Sequence, residues 1–250
     1  MFCESTEWAH YLDIREAIGY NLTSKNMIPL RDTVKSKTIP WMNYLLITIC
    51  GLVFIFELSL GEKLESFVTV FGVLPSRVAA MFTERYFSVR AALPLVTSMF
   101  LHGGWIHLIG NMLYLYIFGD NVEDRLGHLG YLVFYILSGI GASLIEVYFH
   151  TSSTVPVIGA SGAIAGVLGA YFLLYPRARI LTLIPLFVFF PVVELSAFFF
   201  LGFWFIMQFI QGSLASGTDS VGSGVAWWAH AGGFVTGAAL LPVLRLMKRK

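Results

Sequence analysis

The chain has 250 residues, 57% of them hydrophobic and only 12% charged, where soluble domains carry roughly 25% charged residues. This composition, with a mean hydropathy of +0.75, excludes a soluble enzyme, a disordered chain and a disulfide scaffold, and describes a protein whose main solvent is lipid. The net charge of +1, from 16 Lys/Arg against 15 Asp/Glu, gives no reason to expect nucleic acid as a partner.

Residues 1–26 are polar and lack the apolar run of a cleavable signal. They read as an appendage, and Met27 offers an alternative start. Residues 1–42 form an N-terminal segment and 43–250 a membrane domain. A bilayer core of about 30 Å needs roughly 20 apolar residues as a helix. Six stretches qualify, at about 43–60, 104–119 (with an apolar lead-in from near Ala91), 131–149, 158–175, 180–211 and 225–247. The fifth is too long for one straight span, and Pro185 and Pro191 interrupt its first half. Residues 181–190 are therefore read as an interfacial lead-in, with the helix proper starting near Pro191. Residues 61–103 form a long loop between the first two spans. A loop longer than about 15 residues without structure of its own is uncommon. Its apolar residues, among them Phe67, Phe71, Val78 and Phe82, predict short helices lying in the membrane interface. Cys3 and Cys50 lie 47 residues apart, and no bridge is expected.

Lysine and arginine set the orientation. With a cytoplasmic N-terminus, the outside segments hold only Lys63, Arg77, Arg85 and Arg90 of the 16 basic residues, all in the long loop. The expected arrangement is a multi-pass protein of the cell membrane with both termini in the cytoplasm.

Polar side chains inside lipid are costly, so each needs a reason. His107 and Asn111 lie four apart on the second span, on one helical face. Ser161 stands in Gly159-Ala160-Ser161-Gly162 at the start of the fourth span, and His230 in Ala229-His230-Ala231-Gly232-Gly233 near the start of the sixth. These three spans run in the same direction, so all four side chains fall at similar depth. They sit on the order of 5–10 Å below the extracytoplasmic surface. Gly162 and Gly166, and likewise Gly233 and Gly237, are spaced by four, which lets two helices approach closely in a membrane. Taken singly, a serine among glycines is a packing residue, a histidine bonds a carbonyl, and the glycines are packing glue. Taken together, the four polar groups suit acyl transfer. Ser161 is the candidate nucleophile and His230 the base that takes its proton. His107, Asn111 and the Ser161 N–H, at a helix N-terminus, are candidate donors to an oxyanion. No carboxylate lies at this depth on these spans, so a dyad is expected, with the orienting partner of His230 left open.

Other chemistries fit less well. There is no His-Glu-x-x-His run for zinc, and His102 and His107, five apart, are poorly placed for a shared metal; a three-histidine site with His230 stays as a minor alternative. Asp120 has no second buried aspartate for an aspartyl protease. The isolated Glu57, Glu146 and Glu194 read as structural, as do Glu123 and Arg125 after the second span.

The segments His102-Gly-Gly-Trp-Ile-His107-Leu-Ile-Gly-Asn111, Gly159-Ala-Ser161-Gly162, and Ala229-His230-Ala-Gly-Gly233-Phe-Val-Thr-Gly237, in that order, resemble the rhomboid family of intramembrane serine proteases. Glu123-x-Arg125-Leu-Gly also looks like that family, and the resemblance covers the chain from about Met27 onward. It implies an all-α, six-transmembrane-helix rhomboid-like bundle. It further implies a Ser161–His230 dyad with His107 and Asn111 at the oxyanion, and structural support from Gly159, Gly162, Gly233 and Gly237. Single-span or other transmembrane proteins would be the substrates, and no metal or cofactor is expected. The site would open to the extracytoplasmic side, with the fifth span and the loop before the sixth as gate and cap. Two departures stand out. Arg90 follows valine where many relatives carry Trp-Arg, and Ala165 occupies the place of an aromatic that stacks on the histidine. Orientation of His230 must then come from elsewhere, from Trp227 or an aromatic of the second span. An inactive relative that binds membrane proteins or serves quality control is the alternative. A transporter is third, and it lacks the expected internal repeat and midplane site.

Overall fold

The computed structural model describes residues 27–85, 87–185, 188–215 and 225–248; the appendage read from residues 1–26, with Cys3, lies outside the described residues. A strand β1 (Ile28–Asp32) precedes α1 (Trp41–Ser59). A chain of short helices follows: a 3-10 turn at Gly61–Lys63, α2 (Leu64–Phe71), α3 (Pro75–Thr83), α4 (Val89–Ala92), α5 (Pro94–Thr97) and a second 3-10 turn at Ser98–Phe100. Then come α6 (Trp105–Leu126), α7 (His128–Phe149), α8 (Ser161–Leu174), strands β2 (Arg179–Leu183) and β3 (Val192–Ser196), α9 (Ala197–Ala215) and α10 (Trp227–Lys248).

The long helices form the expected helical membrane bundle. Helices α1, α7, α9 and α10 are each long and apolar enough to cross a membrane. Helix α6 makes a further candidate span with the stretch before it, the two bent by 79°. Helix α8 has only 14 residues, about 21 Å of helix against a bilayer core of about 30 Å. Arg177 and Arg179 follow its C-terminal end, which favours water there, so the shortfall falls at the Ser161 end.

Helix α8 is the centre of the packing: every residue from Gly162 to Tyr171 is buried. Its partner α10 meets it backbone to backbone. A Cβ added to Gly233 would lie 2.0 Å from the Gly162 carbonyl oxygen, and one on Gly237 would lie 2.1 Å from that of Gly166. On the same seam a Cβ at Gly169 would lie 2.1 Å from the Phe234 carbonyl. No side chain larger than hydrogen fits at these points. Helix α9, by contrast, is peripheral. Phe198, Phe199, Phe203 and Phe209 are exposed on it, as suits a lipid-facing helix.

Helix α6 runs on to Leu126 instead of stopping near Gly119, because Glu123 has work at the other end of α1. Its carboxylate accepts the N–H groups of Met42 (3.0 Å) and Asn43 (2.8 Å), which are free at the first turn of α1. Asn43 in turn donates to the Leu115 carbonyl at 3.0 Å and accepts from the Tyr131 hydroxyl at 2.8 Å. The reversal into α7 takes one residue, Gly127, whose φ of 74° lies in the left-handed region.

The expectation that the helix proper starts near Pro191, after a lead-in at residues 181–190, is corrected. The flanking segments are strands of a three-stranded antiparallel sheet ordered β1-β2-β3. Leu181 pairs with Glu194, and Ile180 pairs with Leu195 on one side and Asp32 on the other. The β-branched residues of Arg179–Leu183 and Val192–Ser196 suit strands. Pro185 and Pro191 fall outside both strands, where a missing N–H is tolerated. Helix α9 therefore begins only at Ala197.

The long loop contains the expected short helices, and they are packed on the bundle. Val73, Val78 and Leu95 make a small core with Val147 of α7, and Val73 bridges to Val157. The molecule thus has a sheet end, where Glu123 lies, and a site end, where α8 begins.

Candidate active site

Ser161 is the first residue of α8, and no side chain caps this N-terminus. Its hydroxyl therefore lies beside the partial positive charge of a helix start. The residue two before it, Gly159, has φ of +123°, a conformation that L side chains rarely adopt. A Cβ there would also lie 2.7 Å from both Cε1 and Nε2 of His107, and 3.7 Å from the Ser161 hydroxyl oxygen. Glycine at 159 thus lets the His107 ring rest against the backbone leading into Ser161. The imidazole and the hydroxyl flank one point in space.

The His107 ring has a defined polarity. The Gly103 N–H donates to its Nδ1 at 3.4 Å, so the proton of a neutral ring sits on Nε2, the atom facing Gly159. His107 is therefore set as a donor towards the Ser161 region. His102 stands beside it, with ring centroids 5.2 Å apart and edge to face. Asn111, one turn further along α6, is buried, and its amide nitrogen has no hydrogen-bond partner.

His230 comes from the first turn of α10. Its neighbour Ala229 lies against Gly162, whose added Cβ would be 3.9 Å from the Ala229 Cβ. Ser161 and His230 are thus each adjacent in sequence to a touching pair. No hydrogen bond joins Ser161 to His230 among the described residues. The polar partner of His230 is instead Gln208 of α9, whose Oε1 lies 2.8 Å from Nδ1.

The ring of Trp227 meets His230 edge-on at 6.2 Å, as the sequence suggested, and that of Trp204 lies tilted at 5.9 Å. The second aromatic is therefore supplied by α9 and not by the second span. Glu146, read as structural, has a specific task. Its carboxylate accepts the Ala229 N–H at 2.7 Å and so caps α10 one residue before His230. Neither Gln208 nor Glu146 has a local motif; each acts across helices, and only a depth-matched search for lone polar residues on every span finds them. Glu194, by contrast, sits exposed and 3.9 Å from Arg179 across the sheet. Among the described residues, no three His, Cys, Asp or Glu side chains are placed to hold a metal, so the three-histidine alternative does not form.

What this arrangement supplies is a hydroxyl at a helix start, an imidazole on the facing helix, and two donors from α6. Comparison with known proteins bears on it directly. The Rhomboid domain family model matches residues 90–246, well over half of the chain and every helix that contributes to the site. "Rhomboid protein 1, mitochondrial" of Saccharomyces cerevisiae is 34% identical over 123 residues, covering 46% of this chain and 36% of that protein. "Rhomboid-like protein 11, chloroplastic" of Arabidopsis thaliana is 32% identical over 109 residues, 39% of each. "RHOMBOID-like protein 6, mitochondrial" of the same plant is 41% identical over 76 residues, 30% of this chain and 24% of that protein. The chain spans about a quarter to two fifths of the length of these curated relatives. The domain match carries the conclusion: this chain is a member of the rhomboid family.

Proposed function

We propose that the protein is an intramembrane serine protease that cuts peptide bonds in or near the transmembrane segments of other membrane proteins. The carrying observation is that His107 Nε2 and the Ser161 hydroxyl oxygen lie 2.7 and 3.7 Å from the one point where a Gly159 Cβ would stand, at the start of a helix of 14 residues. His230 takes the Ser161 proton as the hydroxyl attacks the scissile carbonyl, and returns it to the leaving amine. The oxyanion that forms is held by the His107 Nε2–H, the Asn111 amide and the N–H groups at the start of α8. The open amide of Asn111 suits that task, since it has donors to spare. Gly162, Gly233 and Gly237 hold the two catalytic helices at backbone contact.

The protein works in the cell membrane, with both termini in the cytoplasm and the site open to the opposite side. His230 closes onto Ser161 when substrate binds; catalytic hydrogen bonds are often long in a resting enzyme. The missing Ser161–His230 bond also favours a second reading, an inactive relative that binds membrane proteins without cutting them. A fluorophosphonate probe separates the two. Labelling of the wild type and none of Ser161→Ala is expected for the protease. Absence of labelling in the folded wild type, together with no cleavage of tagged single-span proteins in liposomes, supports the inactive reading.

A further inference from the structure

Gln208 lies on α9 and is buried, in a helix that otherwise turns mostly aromatic and aliphatic side chains outward. A lone amide in such a place is costly unless it is hydrogen-bonded. Both halves of this amide are. Its Nε2 donates to the Trp204 carbonyl one turn back at 3.4 Å, and its Oε1 lies 2.8 Å from Nδ1 of His230. The Trp204 carbonyl can only accept, so the NH2 side of the amide faces it and the oxygen faces His230. An amide oxygen can only accept, so the proton of the neutral imidazole sits on Nδ1. The lone pair is then on Nε2, the nitrogen that a serine proton needs.

From this geometry we infer that Gln208 is the positioning residue for His230, holding the imidazole in the tautomer and orientation of a general base. The inference rests on the proposed Ser161–His230 chemistry and supplies its third member. Trp204 and Trp227 limit rotation of the ring on two sides, with centroids 5.9 and 6.2 Å away. Gln208 fixes which nitrogen points onward. A neutral amide does this without the desolvation cost of burying a carboxylate in the bundle. The two histidines of the site consequently hold opposite tautomers. Gly103 N–H occupies Nδ1 of His107 and leaves an Nε2–H donor, while Gln208 Oε1 occupies Nδ1 of His230 and leaves an Nε2 acceptor. The same residue type is set as oxyanion donor in one place and as base in the other.

The test combines kinetics with a readout that does not depend on turnover. In Gln208→Leu, which keeps the shape and loses the acceptor, kcat on a single-span substrate should fall about 100-fold, the low end of what general-base catalysis contributes, with KM unchanged. Gln208→Glu restores an acceptor at the same reach and should recover most of kcat. In protein labelled with 15N at histidine, the His230 signals of the wild type should report a protonated Nδ1 and a bare Nε2. Gln208→Leu should show a mixture. Wild-type kcat in folded Gln208→Leu, a Gln208→Glu variant as slow as Gln208→Leu, or a wild-type His230 protonated on Nε2 would each overturn the inference. Should Gln208→Leu fail to fold, the Glu variant and the wild-type spectrum still decide. Cleavage by Ser161→Ala at the wild-type rate would instead sink the underlying catalytic reading, and the spectrum would stand apart from it.

Discussion

Two buried glutamates, at opposite ends of α1 and its neighbours, divide the molecule. At the sheet end, Glu123 accepts the N–H groups of Met42 and Asn43 and contacts the His128 ring. Next to it Asp124 accepts the backbone N–H groups of Lys37 (2.5 Å) and Thr38 (2.9 Å) and the Thr38 hydroxyl. Arg125 donates to the Tyr175 hydroxyl at 2.8 Å. At the site end, Glu57 accepts one N–H, from His102 at 3.1 Å, and its other oxygen has no partner. The His102 Nε2 and the Asn111 amide nitrogen are also buried without a partner. Buried polar groups are normally satisfied. The sheet end has spent most of its polar groups on closing the fold, Asn121 Oδ1 being an unpaired exception, and the site end keeps more hydrogen-bonding capacity.

That contrast can be broken by substitution at each end. The largest effect is expected from Ser161→Ala or His230→Ala, which should abolish cleavage while thermal unfolding in detergent stays near wild type. Cleavage at the wild-type rate by either would remove the catalytic reading of the site end. Next, Asn111→Ala should lower kcat by about 100–1000-fold, as expected for one oxyanion donor, again with little change in stability. Glu123→Ala should reverse the pattern. It leaves buried donors unpaired, each worth about 1–3 kcal/mol, so the melting temperature should drop clearly, and residual folded protein should still react with a fluorophosphonate. A Glu123→Ala protein that melts like wild type would show that the sheet end is not where stability resides.

The smallest expected effect concerns Asp32, at the end of β1. Burial pushes its carboxyl above the ordinary carboxylate range, opposed by the Tyr171 hydroxyl and backbone N–H groups. The folded protein therefore holds this proton to higher pH than the unfolded chain does. Stability from this group falls as pH rises from about 4 through its raised folded value. Asp32→Asn keeps an acceptor oxygen and should flatten that part of the melting-temperature profile; parallel profiles for the two proteins would count against it.

The helical bundle was legible in the sequence because hydropathy over some 20 residues is a local property. Ser161, His107, Asn111 and His230 stood out for the same reason, as polar groups at matched depth. The strands were not legible, since β1 pairs with residues about 150 positions later, and a Phe-rich stretch between two prolines reads as a membrane segment. The end of α6 was misplaced because its last turn is polar, and only contact with α1 shows why Glu123 belongs inside the fold. Gln208 carried no local motif: one amide in an apolar span acquires its meaning only when a histidine 22 residues away comes within 2.8 Å.

By itself, then, the amino-acid order determined which segments are apolar enough to enter lipid, which polar residues interrupt them, and where glycines permit two helices to touch. These are matters of solvent preference and of spacing along one helix. Tertiary structure alone decided which nitrogens of His107 and His230 face a hydrogen-bond partner, which carboxylates cap which helices, and that the bundle is closed at one end by a sheet. Each of those depends on a hydrogen bond between groups far apart in the chain, and a hydrogen bond requires its partners at about 3 Å, a condition that no local pattern encodes.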